Sequence, residues 1–293
     1  MDGQEFLAER FEANRSHLRG VAYRMLGSLS EADDAVQEAW LRLSRADTGD
    51  IQNLGGWLTT VVARVCLDML RSRTSRREES LDAQVPETIT SSDVGSDPEQ
   101  EALLADSVGM ALLVVLETLT PSERLAFVLH DMFDVSFDEI ATIVGRSPEA
   151  TRQLASRARR RVRGTETIPA ADLRRQRKVV DTFLAALRAG DFEGLVAVLD
   201  PDVLVRFVAP TAAGAPMEIR GARAWAKGAV AFSQLARVVE PALVNGAAGL
   251  VVASGGRLTR ALSFKIAGEK IVEFEIIAEP GRLSQLEVAI LAD

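Results

Sequence analysis

The sequence predicts a multidomain chain in which two all-helical modules precede an α+β domain. Three observations carry this. Up to Arg163 the apolar residues recur every three to four positions, the spacing of helices with one buried face. Beyond Pro201 the period shifts towards two, the spacing of strands. Between the helical stretches, Glu78 to Gln100 has the Ser, Asp, Glu, Thr and Pro content of a flexible connector. With 293 residues, 47% of them hydrophobic, each part can bury a core. The boundaries are placed at 1–74 for the first module, 75–102 for the connector, 103–164 for the second module and 170–293 for the α+β domain.

In the first module, Phe6, Phe11, Leu18, Val21, Ala22 and Met25 give an opening pair of helices an apolar face, with Gly27-Ser28 as a stop and Ser30 as a fresh cap. Glu31 to Arg45 is helix again: Ala35, Val36, Ala39 and Leu43 face a core while Asp34, Gln37, Glu38 and Leu41 project elsewhere. A loop containing Thr48-Gly49 and Gly55-Gly56 leads to a helix from Trp57 that is apolar for most of its length and basic at its end. Trp57, which opens this apolar helix, is read first as a core residue, with stacking on a nucleic-acid base as the alternative.

Helix resumes from Leu103 to Leu119. Thr120-Pro121 is then an N-cap with proline at the first helical position, and Ser136 with Glu139 has capping-box spacing ahead of Ile140, Ile143 and Val144. Gly145 ends that helix and Ser147-Pro148 starts another. On it Thr151, Leu154, Ala158 and Val162 form the inner stripe, and Arg152, Gln153, Ser156 and Arg160 lie opposite. This is a helix-turn-helix pattern, and its basic outer face suits phosphates and base edges in a major groove.

In the last domain, Leu173–Arg188 and Phe192–Leu199 read as helices, and Val203–Phe207, Ala248–Ala253, Arg260–Ile266 and Lys270–Ala278 as strands. Phe207, Trp225, Phe232, Phe264 and Phe274 either line a small-molecule pocket or fill the interior. The domain has no histidine, and Glu218, Glu240, Glu273 and Glu275 show no paired spacing of an acid and a base.

The formal net charge of −8 hides a segregation: acids crowd Glu78–Glu101 and arginines crowd Arg152–Arg163, which implies weak DNA affinity for the isolated chain. The single cysteine, Cys66, excludes an intrachain disulfide and suits a reducing cytoplasm. There is no signal-peptide pattern and no apolar run long enough to span a bilayer, so the expectation is a soluble cytoplasmic protein without a membrane partner. No ligand cluster predicts a metal, and no cofactor is expected.

The segments AYRMLGSLSEADDAVQEAWLRL, GGWLTTVVARVCLDMLRSR and the helix-turn-helix closely resemble regions 2 and 4 of bacterial RNA polymerase sigma factors of the extracytoplasmic-function class. The last domain resembles the SnoaL-like domain fused to one subgroup of them, a cone-shaped α+β barrel. The resemblance implies a non-catalytic subunit that selects promoters. Region 2 is then expected to meet the clamp of the largest polymerase subunit through Asp34, Gln37, Glu38 and Leu41. It would also hold the melted −10 element through Asn53, Thr60, Arg64, Arg71 and Arg73. Region 4, on the flap of the second-largest subunit, would read the −35 element through Arg152, Gln153, Ser156, Arg157 and Arg160.

In that subgroup the fused domain is thought to replace a separate anti-sigma factor. The matching motif positions here are Pro86, Glu87, Gly255, Gly256, Arg257, Pro280 and Leu283, while the linker tryptophan and the Asn, Asp and Lys of the tail motif are absent. An unidentified small ligand of this domain stays open. Two rival readings are a helix-turn-helix regulator that acts without polymerase, and a SnoaL-type enzyme with a helical regulatory arm.

Overall fold

The computed structural model describes residues 3–46, 51–82, 109–164, 168–208, 217–233, 235–254 and 256–291. The chain divides into two compact units, one drawn from residues 1–108 and 116–159 and the other from 109–115 and 160–293.

The first unit opens with α1 (Gly3–Leu26), α2 (Leu29–Leu43) and α3 (Leu54–Asp82). Leu18, Val21, Ala22 and Met25 of α1 are fully buried, as are Ala35, Val36, Ala39 and Leu43 of α2. The cap of α2 is Ser28, whose hydroxyl accepts from the Glu31 N–H, whereas the sequence pointed to Ser30. Helix α3 starts three residues before Trp57, because Asn53 accepts from the Gly56 N–H and so caps a turn that contains both glycines. It also runs on to Asp82, past the expected boundary at 74, through a stretch of Arg and Glu that favours helix. The remainder of the connector, with Pro86 and Glu87, and Leu103–Val108 lie outside the described residues.

The second helical module comprises α4 (Met110–Glu117), α5 (Pro121–Phe127), α6 (Phe137–Val144) and α7 (Pro148–Arg163). Both expected capping boxes are present, Thr120 with Glu123 and Ser136 with Glu139. Gly145 ends α6 at φ 74°, in the left-handed region that favours glycine. Val128–Met132 continues α5 as a π-helical turn, a feature that apolar spacing alone does not reveal.

Within this unit α5 packs on α1 and α3 through a buried charge. The Arg124 side chain is 3% exposed; its Nη1 donates to Glu117 at 2.8 Å and its Nε to the Arg24 carbonyl at 3.1 Å. Burial lowers the pKa of this guanidinium, and the Glu117 carboxylate pulls it back up. Burial also pushes the nearby Cys66 thiol up to about 12, against the opposing pull of Arg124.

The second unit carries a seven-stranded sheet in the order β2-β1-β6-β5-β4-β3-β7. After α8 (Ala170–Ala189) and α9 (Phe192–Val198) come β1 (Leu199–Val208), β2 (Met217–Arg220), α10 (Ala222–Ala229) and β3 (Val239–Val244). Then follow β4 (Ala247–Ser254), β5 (Arg257–Ala267), β6 (Lys270–Ile277), a short α11 (Pro280–Leu283) and β7 (Val288–Ala289). All neighbours are antiparallel except β1 and β6, where Val205 stands opposite Phe274 in a parallel pair. The interior face buries Val203, Val205, Leu250 and Phe274 against Val180, Phe183 and Leu184 of α8.

The period-two stretches coincide with β1, β4, β5 and β6, whereas β2, β3 and β7 were not expected from the sequence. Strand β3 was hidden by Pro241, which lies beyond the two residues, Leu243 and Val244, that β7 covers. On that stretch β3 has one open side, where proline costs no ladder bond.

Two outcomes are expected. Arg124→Ala should lose about 3 kcal/mol of stability in urea unfolding, because it leaves Glu117 and a carbonyl unpaired, while the double replacement Arg124→Met with Glu117→Met, which removes both charges, should lose clearly less. Cys66 should resist dithionitrobenzoate in the native protein at pH 8 and react fully in denaturant, since the buried thiol stays protonated.

Candidate nucleic-acid interface

The exposed face of α2 is what remains after its apolar stripe is buried. Asp34, Gln37 and Leu41 are exposed, Leu41 at 39%, and Glu38 is half-buried and paired with Arg42 at 2.9 Å. Glu38 also borders an open groove of about 320 Å³ between α2 and α3, lined further by Glu31, Val65, Asp68, Met69 and Arg73. An exposed leucine beside three polar residues is a surface able to dock on a protein rather than on water alone.

At 100° per residue, Trp57, Thr60, Arg64 and Arg71 of α3 fall within a sector of about 60°. Arg64 and Arg71 are exposed, and Trp57 is half-buried rather than in the core where the sequence put it. Cationic heads beside an accessible indole are the parts of a single-strand track, where bases stack and phosphates are neutralised. Thr60 bends back on its own helix and donates to the Gly56 carbonyl at 3.0 Å, and Asn53 is engaged as the cap of α3. Arg73 points away from this sector: it forms an ion pair with Glu31 and donates to the Leu26 carbonyl at 3.2 Å. That guanidinium ties α3 to α1 and α2. His17, on α1, hydrogen-bonds Thr59 at 3.2 Å, and burial lowers its pKa.

On α7 the inner stripe is buried as expected, Thr151, Leu154, Ala158 and Val162 each below 7% exposure. Arg152, Gln153, Ser156, Arg157 and Arg160 are all exposed. Arg152 rests over the Phe137 ring at 5.6 Å, which pre-orients its guanidinium at the start of the helix, the end that reaches base edges in helix-turn-helix proteins. Arg159 is held by Asp131 at 2.6 Å. Glu149, exposed in the first turn, shares the sector of Arg152 and Ser156 and suits a cytosine amino group; as an acid on a basic face it carries no charge signal for DNA in the sequence.

In the second unit Phe183, Trp225, Phe264 and Phe274 pack ring against ring at 5.0–5.6 Å and fill the interior, with Phe207 packed against the same core. Phe232, expected among them, is 57% exposed. The four carboxylates are engaged elsewhere: Glu218, Glu273 and Glu275 surround Arg206, and Glu240 accepts from the Ala111 N–H. Among the described residues no His, Cys, Asp or Glu group has the make-up of a metal site, and no helix is long and apolar enough to cross a membrane. Of the motif residues, Gly255 lies outside the described set, Gly256 is buried, Arg257 is exposed at the start of β5, and Pro280 opens α11. Leu283 packs on Ala261 and Ile277 of its own sheet.

Residues 10–76 match the Sigma-70 region 2 family and residues 109–162 the Sigma-70 region 4 family. The chain is 43% identical over 214 residues to the ECF RNA polymerase sigma factor SigJ of Mycobacterium tuberculosis, covering 73% of this chain and 68% of that one. The chain belongs to the extracytoplasmic-function family of RNA polymerase sigma factors. This sigma factor is also 38% identical over 203 residues to the probable ECF RNA polymerase sigma factor SigI of the same species, over 69% of this chain and 70% of that one. The crystal structure of Mycobacterium tuberculosis SigJ is 35% identical to it, covering 94% of this chain and 98% of that chain, with a TM-score of 0.45. In family terms α1–α3 are region 2, α4–α7 are region 4, and the α+β domain follows.

Replacing Arg73 with Gln should lower stability by about 1 kcal/mol and leave the affinity for a single-stranded −10 oligonucleotide unchanged when bound to polymerase. Arg71→Gln should do the reverse, weakening that affinity and flattening its salt dependence by about one unit of slope.

Proposed function

We propose that this sigma factor directs promoter-specific initiation with bacterial core RNA polymerase, that region 2 meets the polymerase clamp and the melted −10 element, and that region 4 meets the flap and the −35 element. The observation that carries this is the pairing of two outward faces on one chain: the Asp34-Gln37-Leu41 face of α2 and the Arg152-to-Arg160 face of α7. A regulator that acts through its helix-turn-helix alone has no use for the first. Each module binds weakly by itself, and joint engagement on polymerase raises the effective concentration of both.

We read the C-terminal domain as a regulator in cis rather than as an enzyme, in a cytoplasmic protein that needs no separate anti-sigma partner. Its aromatic interior is packed with rings, and Glu218, Glu273 and Glu275 serve an ion-pair network while Glu240 serves a helix end. Sigma factors as a family are not enzymes.

Two measurements test the reading. Asp34→Arg with Gln37→Arg should abolish co-purification with core polymerase at an unchanged melting temperature, since both side chains are exposed; retained association overturns the clamp contact. Arg152→Ala should cost about 1–3 kcal/mol of discrimination at one base pair of the −35 element in run-off transcription, and an unchanged base preference removes Arg152 from the reading face.

A further inference from the structure

Both ends of region 4 rest on one edge of the C-terminal sheet. At its start, the N–H of Ala111 in the first turn of α4 donates to Glu240 Oε2 at 2.8 Å. At its finish, the Ile290 N–H donates to the Val162 carbonyl at 2.9 Å. Gly164, at φ 67°, stands so close to the sheet that a β-carbon there would collide with the Ala289 methyl group and touch Leu243. Glu240 and Leu243 belong to β3 and Ala289 to β7, and Leu243 pairs with Ala289, so these contacts share one surface.

The chemistry of each contact is that of an unfinished helix end. The first N–H groups of a helix and its last carbonyls have no partner within the helix, and a carboxylate at the N-terminus also opposes the helix dipole. Helix α4 has no acidic residue of its own in the first turn. Glu240 supplies that charge from a position 129 residues further along the chain. At the other end the Val162 carbonyl, in the last turn of α7, finds its donor in Ile290.

We propose that the β3–β7 edge is the surface through which the C-terminal domain governs region 4, with Glu240 the positioning residue that caps its first helix. This rests on the reading of the chain as a sigma factor regulated in cis, and it moves the point of control away from Pro280–Leu283, which packs over β5 and β6. The contact at Val162 and Gly164 fixes the end of the reading helix to the sheet, and the contact at Ala111 fixes the start of the module.

The test uses the full chain, hydrogen exchange and run-off transcription with bacterial core polymerase. Glu240→Ala should speed exchange at the amides of Met110 to Leu113 roughly three- to tenfold. Glu240→Gln, which keeps an acceptor and loses the charge, should fall between it and wild type. Gly164→Ala should do the same for Arg160 to Arg163, through both the collision and the strain of a side chain at positive φ, and adding Ala289→Gly should restore part of the protection by removing the collision. Both Glu240→Ala and Gly164→Ala should change transcription from a −35-dependent promoter by roughly threefold or more and leave a template pre-melted at −10 and lacking −35 unchanged. Wild-type exchange in Glu240→Ala overturns the cap, and altered exchange with unaltered transcription overturns the control of region 4. Absence of promoter-specific transcripts from the wild-type chain would mark failure of the sigma-factor reading itself, and the exchange arm would still decide whether the edge holds the module.

Discussion

The first unit depends on one guanidinium placed where water cannot reach it. Moving an arginine from water into a protein interior costs several kcal/mol, and its partners return that only if their geometry is good. Arg124 has a carboxylate at 2.8 Å and a carbonyl at 3.1 Å, and its Nη2 has no hydrogen-bond partner among the described residues. The carbonyl is available because Arg24 lies in the last turn of α1, where no later N–H within the helix can claim it. Arg24 in turn lays its own guanidinium over Phe133 and donates to the Gly20 carbonyl. Apolar residues in place of both Arg124 and Glu117 would fill the space at less electrostatic cost, but they would not specify which carbonyl was faced. The charge is therefore best understood as fixing the register of α5 on α1, with the net stability coming from the apolar surface around it.

Much of this was readable because it is local. Capping boxes are set by residues three apart, and the stripe on α7 by residues three and four apart, so Thr120, Ser136, Thr151 and Leu154 declare their roles without any tertiary knowledge. The expected capping of α2 by Ser30 failed by two residues because Ser28 and Ser30 are chemically equivalent candidates, and only the backbone decides which precedes the first turn. The pairing of Arg73 was hidden for a different reason. Its partner Glu31 is 42 residues away, and a basic residue at the end of an apolar helix looks the same in sequence whether it faces a phosphate or a carboxylate. Trp57 and Phe232 show the converse: aromatic residues in apolar company were assigned to the interior, yet one is half-buried and the other exposed. The parallel pairing of β1 with β6 joins strands separated by the rest of the sheet domain, and no local period encodes it.

The arginines of the helical modules sort by partner. Arg19 with Asp33, Arg73 with Glu31, Arg124 with Glu117 and Arg159 with Asp131 each join separate elements. Arg64, Arg71, Arg152, Arg157 and Arg160 are exposed. Arginine count alone therefore overstates the charge available to DNA, and a net charge of −8 is compatible with two cationic faces because the acids that produce it are largely elsewhere in the chain. The compact faces give short-range attraction to phosphates, while the overall charge limits attachment to arbitrary duplex.

An open strand edge invites pairing with another chain, and β3 has such an edge over part of its length. Three features blunt it. Pro241 removes a donor, the two-residue β7 covers Leu243 and Val244, and Glu240 places a charge next to the proline. If the same edge receives the ends of region 4, as proposed, the edge meets two constraints at once: it is protected from association, and through Glu240 of β3 and Ile290 after β7 it completes hydrogen bonds that α4 and α7 cannot complete themselves. The contacts at the Ala111 N–H and the Val162 carbonyl are to backbone groups, so they place few demands on the identity of the helical residues. That leaves the outward side chains of region 4 free to be chosen for the promoter they read.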